Sequence, residues 1–132
     1  MRSSILVINT VVGNAIADGS VYPLPQTARR IGNGIDGNGE GVIITKPGFY
    51  AIDTNVTVTA GAVGVLTASV NLNGVDVPGA KAIATVTDGG DVTLPISTMV
   101  RLNRCENPAA ISIKLSGVAS TSFNASMSVK QV

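Results

Sequence analysis

The stretch GVIITKPGFYAIDTNVTVTA, residues 41–60, decides the fold of this chain. From Phe49 onward, apolar side chains alternate with mostly polar ones, and this period of two is typical of a β-strand with one buried face. Lys46-Pro47-Gly48 interrupts the apolar run before it, because proline lacks an N–H and glycine reaches turn conformations that other residues avoid. The stretch therefore predicts a strand, a corner and a long strand that lines a core.

The same alternation recurs downstream and predicts further strands. Asn73-Gly74 joins residues 65–72 to residues 75–86 and is a strong hairpin signal, since both central residues of a type I′ turn need positive φ. Pro78-Gly79 predicts a bulge or kink in the return strand, and Pro95 predicts an edge position or a gap in pairing. The positions with inward parity, which we predict to be buried, include Tyr50, Ile52, Val56, Leu66, Val70, Leu94, Ile96, Val100, Ile113 and Met127.

The first 40 residues are less regular. Residues 4–10 form a β-prone run that either pairs internally or offers its edge to a partner. Residues 21–31 contain two prolines and should be extended, as an edge strand or as a connection that crosses the outside. Residues 32–41 hold glycine at every second or third position and predict a loop or a chain of tight turns.

Composition indicates one all-β domain over residues 1–132. The chain has no Trp and only 3% aromatic residues, so its core must consist of Val, Ile, Leu and Ala. A net charge of +1 with 13% charged residues is too balanced and too sparse for nucleic-acid binding. No apolar run reaches the length of a membrane span. A positive mean hydropathy with so few charges suggests that another subunit covers part of the surface.

The N-terminus imitates a secretory signal, with Arg2, an apolar run over residues 5–12 and a small-residue pattern at 15–17. Asn9 and Thr10 interrupt that run, so we expect no signal peptide and synthesis in the cytoplasm. A single cysteine, Cys105, gives no disulfide framework.

The residue types argue against catalysis. Histidine is absent, which excludes Ser-His and Cys-His nucleophile pairs and histidine metal sites. Most acidic residues fall in separate Gly-rich turns, and Asp53, which lies on a strand, faces away from the core. Cys105 lies near two arginines that could favour its thiolate, but no base accompanies it, and a small residue at a strand end is the preferred interpretation. We predict no enzyme and no cofactor.

A calcium loop is the one metal pattern to consider. Asp36, Asn38 and Glu40 stand at alternate positions in a Gly-rich segment, as in the start of such a loop. A twelve-residue loop counted from Asp36 ends at Pro47, where a bidentate Glu should stand, so a solvated turn is preferred. We therefore predict no metal site.

Three segments together resemble C1q-like and tumour-necrosis-factor-like domains. KPGFYAIDTNVTV (46–58) resembles the motif in which a Pro-Gly corner precedes an aromatic residue and a long inner strand. ASVNLNGVDV (68–77) resembles the family's strand, Asn-Gly turn and return strand, and TSFNASMSVKQV (121–132) resembles its closing strand, with Phe123 at the aromatic position. The residues themselves indicate about eight strands with Gly-rich turns, which leaves a sandwich or a jelly roll as the layout. The resemblance covers residues 41–132 and implies an antiparallel jelly-roll sandwich that forms a homotrimer.

Capsid-decorating and head-fibre proteins of tailed bacteriophages resemble this family while lacking its disulfides and its aromatic-rich core, as this chain does. The resemblance implies a structural virion protein on the capsid exterior that binds the major capsid protein or another virion surface. The alternative is a carbohydrate- or receptor-binding module at the tip of a fibre, and we expect no small-molecule ligand. The partner-binding residues are predicted to be Arg29, Arg30, Ile5 and Val7. Arg29-Arg30 would either bind an acidic group on a partner surface or only keep an edge strand soluble.

Overall fold

Ten β-strands and no helix make up the described part of the chain, which in this computed structural model comprises residues 3–9, 24, 26–102, 108–118 and 120–132. The all-β prediction is confirmed. The strands are β1 (Ser4–Asn9), β2 (Gln26–Ile31), β3 (Ile35–Gly37), β4 (Gly41–Ile44), β5 (Gly48–Ala60), β6 (Gly64–Leu72), β7 (Val75–Val86), β8 (Asp91–Leu102), β9 (Ala109–Ser116) and β10 (Ser120–Gln131).

The strands form two antiparallel five-stranded sheets packed as a sandwich. Sheet 1 has the order β2-β1-β10-β5-β8, and sheet 2 has the order β3-β4-β9-β6-β7. From β4 to β10 the chain changes sheet at every connection except the hairpin between β6 and β7. This crossing pattern is that of a jelly roll, as the resemblance to C1q-like and tumour-necrosis-factor-like domains implied.

The core lies between the two sheets and follows the predicted alternation. All ten positions predicted to be buried are buried, with Val100 the most exposed of them at 8%. The largest, Tyr50, packs its ring in the core while its hydroxyl donates a 2.7 Å hydrogen bond to the Lys46 carbonyl oxygen. That bond satisfies a polar group that would otherwise be costly to bury, and it holds the corner between β4 and β5.

The hairpin between β6 and β7 confirms the turn prediction. Asn73 and Gly74 have φ values of 52° and 83°, which is the type I′ combination. The return strand bulges at Pro78-Gly79, where the register shifts between Ser69 and Asn71 of the opposing strand. The bulge prediction is therefore also confirmed.

The edges of the sheets explain why the sequence indicated about eight strands rather than ten. Pro95 lies on β8, which is an edge of sheet 1, as predicted. Residues 26–31 form the opposite edge as β2, whereas residues 35–37 pair with β4 as the three-residue strand β3 inside the predicted loop. A strand this short carries no readable alternation, so its pairing is set by the tertiary fold.

Candidate partner-binding surface

Strand β1 completes sheet 1 and does not offer an edge to a partner. It pairs with β10 on one side and with β2 on the other. Ile5 and Val7 point into the core and are 2% and 0% exposed. Of the two possibilities for this segment, the structure shows the internal one. This corrects the prediction that Ile5 and Val7 contact a partner, because neither has a free strand edge or an exposed side chain.

Strand β2 is exposed along its whole length, and its two arginines lie on opposite faces. Arg30 is in register with Ile5, so it lies on the side of sheet 1 that faces sheet 2. Its Nε donates a 2.9 Å hydrogen bond to the Ile35 carbonyl oxygen and lies 4.0 Å from Oδ1 of Asp36. Arg30 therefore ties the edge of sheet 1 to strand β3 at the edge of sheet 2.

Arg29 lies on the outer face of sheet 1, in register with Leu6. Together with Ser4, Ile31 and Ser128 these two residues line an open groove of about 260 Å³ that runs over β1, and Ile5, whose side chain points into the core, borders it as well. Leu6 lies between Arg29 on one neighbouring strand and Ser128 on the other, so it forms the floor of the groove. The structure thus separates the two arginines that the sequence placed together: Arg29 lines a groove and Arg30 braces the edge of the sandwich.

The other end of the same outer face, at strands β5 and β8, carries an apolar cluster. Phe49 is 50% exposed and Met99 is 58% exposed, and Ala51 lies directly opposite Met99. The guanidinium of Arg101 lies 5.5 Å from the centre of the Phe49 ring, within the range of a cation–π contact. We call Phe49, Ala51 and Met99 the apolar cluster of sheet 1.

Polar cross-strand pairs occupy the middle of this face. Ser97 donates a 2.8 Å hydrogen bond to Oδ1 of Asp53, and the hydroxyls of Thr57 and Thr93 lie 3.1 Å apart. Such pairs stabilise neighbouring strands by a few tenths of a kcal/mol to about 1 kcal/mol. They hold strand β8 to strand β5, and the face carries charges of both signs, among them Asp53, Arg101 and Lys130.

A second cleft, of about 300 Å³, lies between the β6–β7 hairpin and the end of β8. Leu72, Val77 and Val100 make its wall largely apolar. Asp76 at its rim is paired with Lys81 at 3.3 Å. The other charged residue of its lining, Arg101, has its guanidinium over the Phe49 ring.

Two of the side chains considered for metal binding accept hydrogen bonds from nearby backbone N–H groups. Asp36 Oδ1 accepts a hydrogen bond from the backbone N–H of Gly37, and Asn38 Oδ1 accepts one from that of Glu40. In the part of the chain that the structure describes, no three His, Cys, Asp or Glu side chains come together as a metal site. Cys105 lies outside the described residues.

The Tyr50 hydroxyl in the core has a shifted pKa. Burial raises the pKa of the Tyr50 hydroxyl above its ordinary value of 10.0, because the charged phenolate would lose its hydration.

Among the described residues, no helix is long and apolar enough to cross a membrane.

The sequence did not indicate the groove residues Leu6 and Ser128. Residues 5–8, ILVI, are apolar at every position, so a period of two could not show which of them point outward. Ser128 reaches the groove through pairing between β1 and β10, which joins the two ends of the chain. If Ile5 or Val7 is known to be buried, alternation along the strand places Leu6 on the outer face, and this is the signal that could have found it.

Comparisons with known proteins identify the fold. No protein-family model matches the chain, and no curated protein matches its sequence. Among solved structures, PRD1 vertex protein P5 is similar with a TM-score of 0.69 and 15% identity, over 98% of this chain and 96% of that protein. Eiger TNF from S. frugiperda is similar with a TM-score of 0.69 and 8% identity, over 99% of this chain and 92% of that one. The globular domain of zebrafish complement 1qA is similar with a TM-score of 0.66 and 8% identity, over 96% of this chain and 94% of that one. At these identities the likeness is one of fold, and the fold is the C1q/TNF-like jelly roll.

Proposed function

We propose that this C1q/TNF-like chain is a structural protein of a bacteriophage virion, a homotrimer that decorates the capsid or forms a head fibre. The observation that carries the proposal is the likeness to a vertex protein over nearly the whole of both chains. The shared length supports one common unit rather than a shared fragment. The partner would be the major capsid protein or another virion surface, which places the chain on the capsid exterior.

The trimer is supported by exposed apolar side chains on a surface with few charges. The apolar cluster of sheet 1 combines an exposed aromatic ring with an exposed methionine, two side chains that are enriched in protein interfaces. The charged side chains next to it are of both signs, with Arg101 opposite Phe49, Lys130 opposite Ala51 and Asp53 hydrogen-bonded to Ser97, so a second copy does not meet a patch of a single sign. We assign the threefold contact to this part of sheet 1.

Attachment to the particle is assigned to β2. Among the described residues, no strand pairs with the side of β2 that faces away from β1, so its backbone groups are available for strand addition. Arg29 adds a positive charge on the outer face. Binding that combines both should weaken as salt is raised.

A carbohydrate-binding role receives less support. Sugar sites use exposed aromatic rings, because ring stacking provides contact area at low entropic cost. Of the described aromatic side chains, Tyr50 is buried and Phe49 is already in contact with Arg101. Binding of the trimer to a glycan array in preference to particles would favour this alternative.

Binding to particles lacking this protein is the direct experiment. Purified chain is added at increasing concentration, and occupancy per particle is measured after separation of free protein. We expect saturable binding in multiples of three copies per site. Absence of binding under conditions in which the chain is folded would contradict the proposal.

A further inference from the structure

We infer that the groove over β1 is a receptor for one acidic side chain, Asp or Glu, on the coat protein to which the chain attaches. The inference rests on the proposed function and specifies its contact. Arg29 and Leu6 are the two residues that make the groove selective.

The groove suits a side chain that is apolar along its stem and anionic at its tip. Leu6 forms the floor, and Ile31, which is 37% exposed, lies beside Arg29 at the rim. The hydroxyls of Ser4 and Ser128 line the same space and can donate hydrogen bonds. A carboxylate over the Leu6 side chain would meet the Arg29 guanidinium, whose fork matches its two oxygens.

The charge around the groove is positive. Arg29 is on one side, and Lys130 is in register with Ser4 on the other. The carboxylate of Asp53 lies on the same face opposite Ser128, but it accepts a hydrogen bond from Ser97 on the far side of its strand. Two cations against one carboxylate leave a net positive charge around the groove, which raises the local concentration of an anionic partner and speeds its association.

Arg29 and Arg30 differ in what already engages them. The guanidinium of Arg30 is held by the Ile35 carbonyl oxygen and lies beside Asp36. Arg29 lies on the opposite face of the same strand and lines the groove. The two residues therefore form a matched pair: they carry the same charge on the same strand, and their side chains lie on opposite faces of sheet 1.

The acidic side chain is expected from the coat protein rather than from a second copy of this chain. Most of the described carboxylates already have an internal partner: Asp36 has Arg30, Asp53 has Ser97, Asp76 has Lys81 and Asp91 has Thr59. In the order of sheet 1, strand β1 under the groove lies two strands from β5 and three strands from β8, so the apolar cluster is roughly 10–14 Å away at the usual strand spacing. Attachment and trimer contact would therefore use different strands of the same face.

The first experiment measures binding of full-length Arg29→Ala and Arg30→Ala variants to particles lacking this protein. We expect Arg29→Ala to weaken binding about tenfold or more, because a charge-assisted contact is lost. Arg30→Ala should weaken it clearly less and should instead lower the thermal unfolding midpoint. Light scattering on both variants verifies that each still assembles as the wild-type chain does.

The second experiment identifies the group in the groove. Arg29→Lys places a primary amine there, and carbodiimide treatment of the bound complex condenses that amine with a touching carboxylate to form an amide bond, the carboxylate oxygen leaving with the carbodiimide as its urea. Mass spectrometry should find position 29 joined to an Asp or Glu of the coat protein. Arg30→Lys, treated alike, should give much less of this product.

Four outcomes would overturn the inference. They are equal loss of binding for Arg29→Ala and Arg30→Ala, no loss for either, a crosslink from position 29 to a carboxylate of a second copy of this chain, and no crosslink from position 29 in bound complex. Unchanged binding of Arg29→Ala to particles that the wild-type chain does bind would remove this inference alone. Failure of the wild-type chain to bind would remove the proposed function as well.

Discussion

Ile96 and Ile83 are the same residue type in opposite surroundings. Ile96 on β8 points into the core and is 4% exposed, whereas Ile83 on β7 is 66% exposed. Replacing Ile96 by Ala should lower the free energy of unfolding by about 2–5 kcal/mol, because it removes buried apolar volume and leaves a cavity. Leu94, which is equally buried, should behave in the same way. Urea unfolding at one fixed protein concentration measures the change.

Ile83→Ala is the control, since it deletes the same atoms at an exposed site. It should change the free energy of unfolding by no more than about 0.5 kcal/mol. Equal losses for the two variants would contradict the assignment of inward and outward faces on β7 and β8.

The alternation of single residues was readable from the sequence wherever polar residues marked the outward positions. Residues 49–59 and 92–102 show this alternation, and their buried faces were predicted correctly. Ile5 and Val7 were not readable in this way, because residues 5–8 are apolar at every position. Their burial follows from pairing with β10, at the other end of the chain.

At the scale of elements, Asn73 joins two parts of sheet 2. Its backbone adopts φ 52° in the turn, and its Oδ1 accepts a 2.8 Å hydrogen bond from the backbone N–H of Ala110 at the start of β9. Asn73→Gly keeps the turn conformation and loses the bond, so it should cost about 1 kcal/mol. Asn73→Ala also places a side chain in a left-handed conformation and should cost about 1–2 kcal/mol more.

The difference between the two Asn73 variants isolates the turn from the hydrogen bond, and thermal or urea unfolding of each measures it. A loss for Asn73→Gly as large as that for Asn73→Ala would mean that the left-handed conformation contributes nothing to stability. No loss for Asn73→Gly would mean that the side-chain hydrogen bond with Ala110 contributes nothing, since the bond from the Asn73 backbone N–H to the Ala110 carbonyl oxygen is kept in both variants.

The elements differ in how far the sequence predicts them. Long strands between strong turn signals were predicted, because Asn73-Gly74 and Lys46-Pro47-Gly48 are local signals. The edge strand β3 was missed, since its three residues, Ile35–Gly37, have neither the length nor the β-branched composition of a strand. The role of Arg30 was missed as well, because it depends on the contact between β2 and β3 across the sandwich, and β3 was not predicted.

At the scale of the whole molecule, the apolar cluster of sheet 1 makes a testable interface. Met99→Glu places a charge at the centre of the proposed contact, so it should shift the assembly from trimer towards monomer, because an unpaired charge is costly to bury. Light scattering gives the mass, and circular dichroism verifies the fold. A Met99→Glu protein that stays trimeric would place the contact elsewhere.

Ile83→Glu is the matched control on the outer face of sheet 2. It adds the same charge at a similarly exposed apolar side chain, 66% exposed against 58% for Met99. We expect it to leave the trimer intact. Dissociation by Ile83→Glu and not by Met99→Glu would move the interface to sheet 2.

The overall architecture was predictable because its resemblance rests on long local motifs within residues 41–132. The position of the groove was not, because it is built from both ends of the chain: β1 and β2 supply Leu6 and Arg29, and β10 supplies Ser128. Assembly depends on surface complementarity with other molecules, which a single chain does not encode in any periodic pattern.

An electron cryomicroscopy reconstruction of particles with the chain bound would show whether it is a trimeric structural protein of a virion. We expect threefold density on the outside of the capsid, fitted by three copies of the sandwich, with β2 and Arg29 nearest the coat protein. Single copies at each site, or particles that carry no added density at saturating protein, would contradict it.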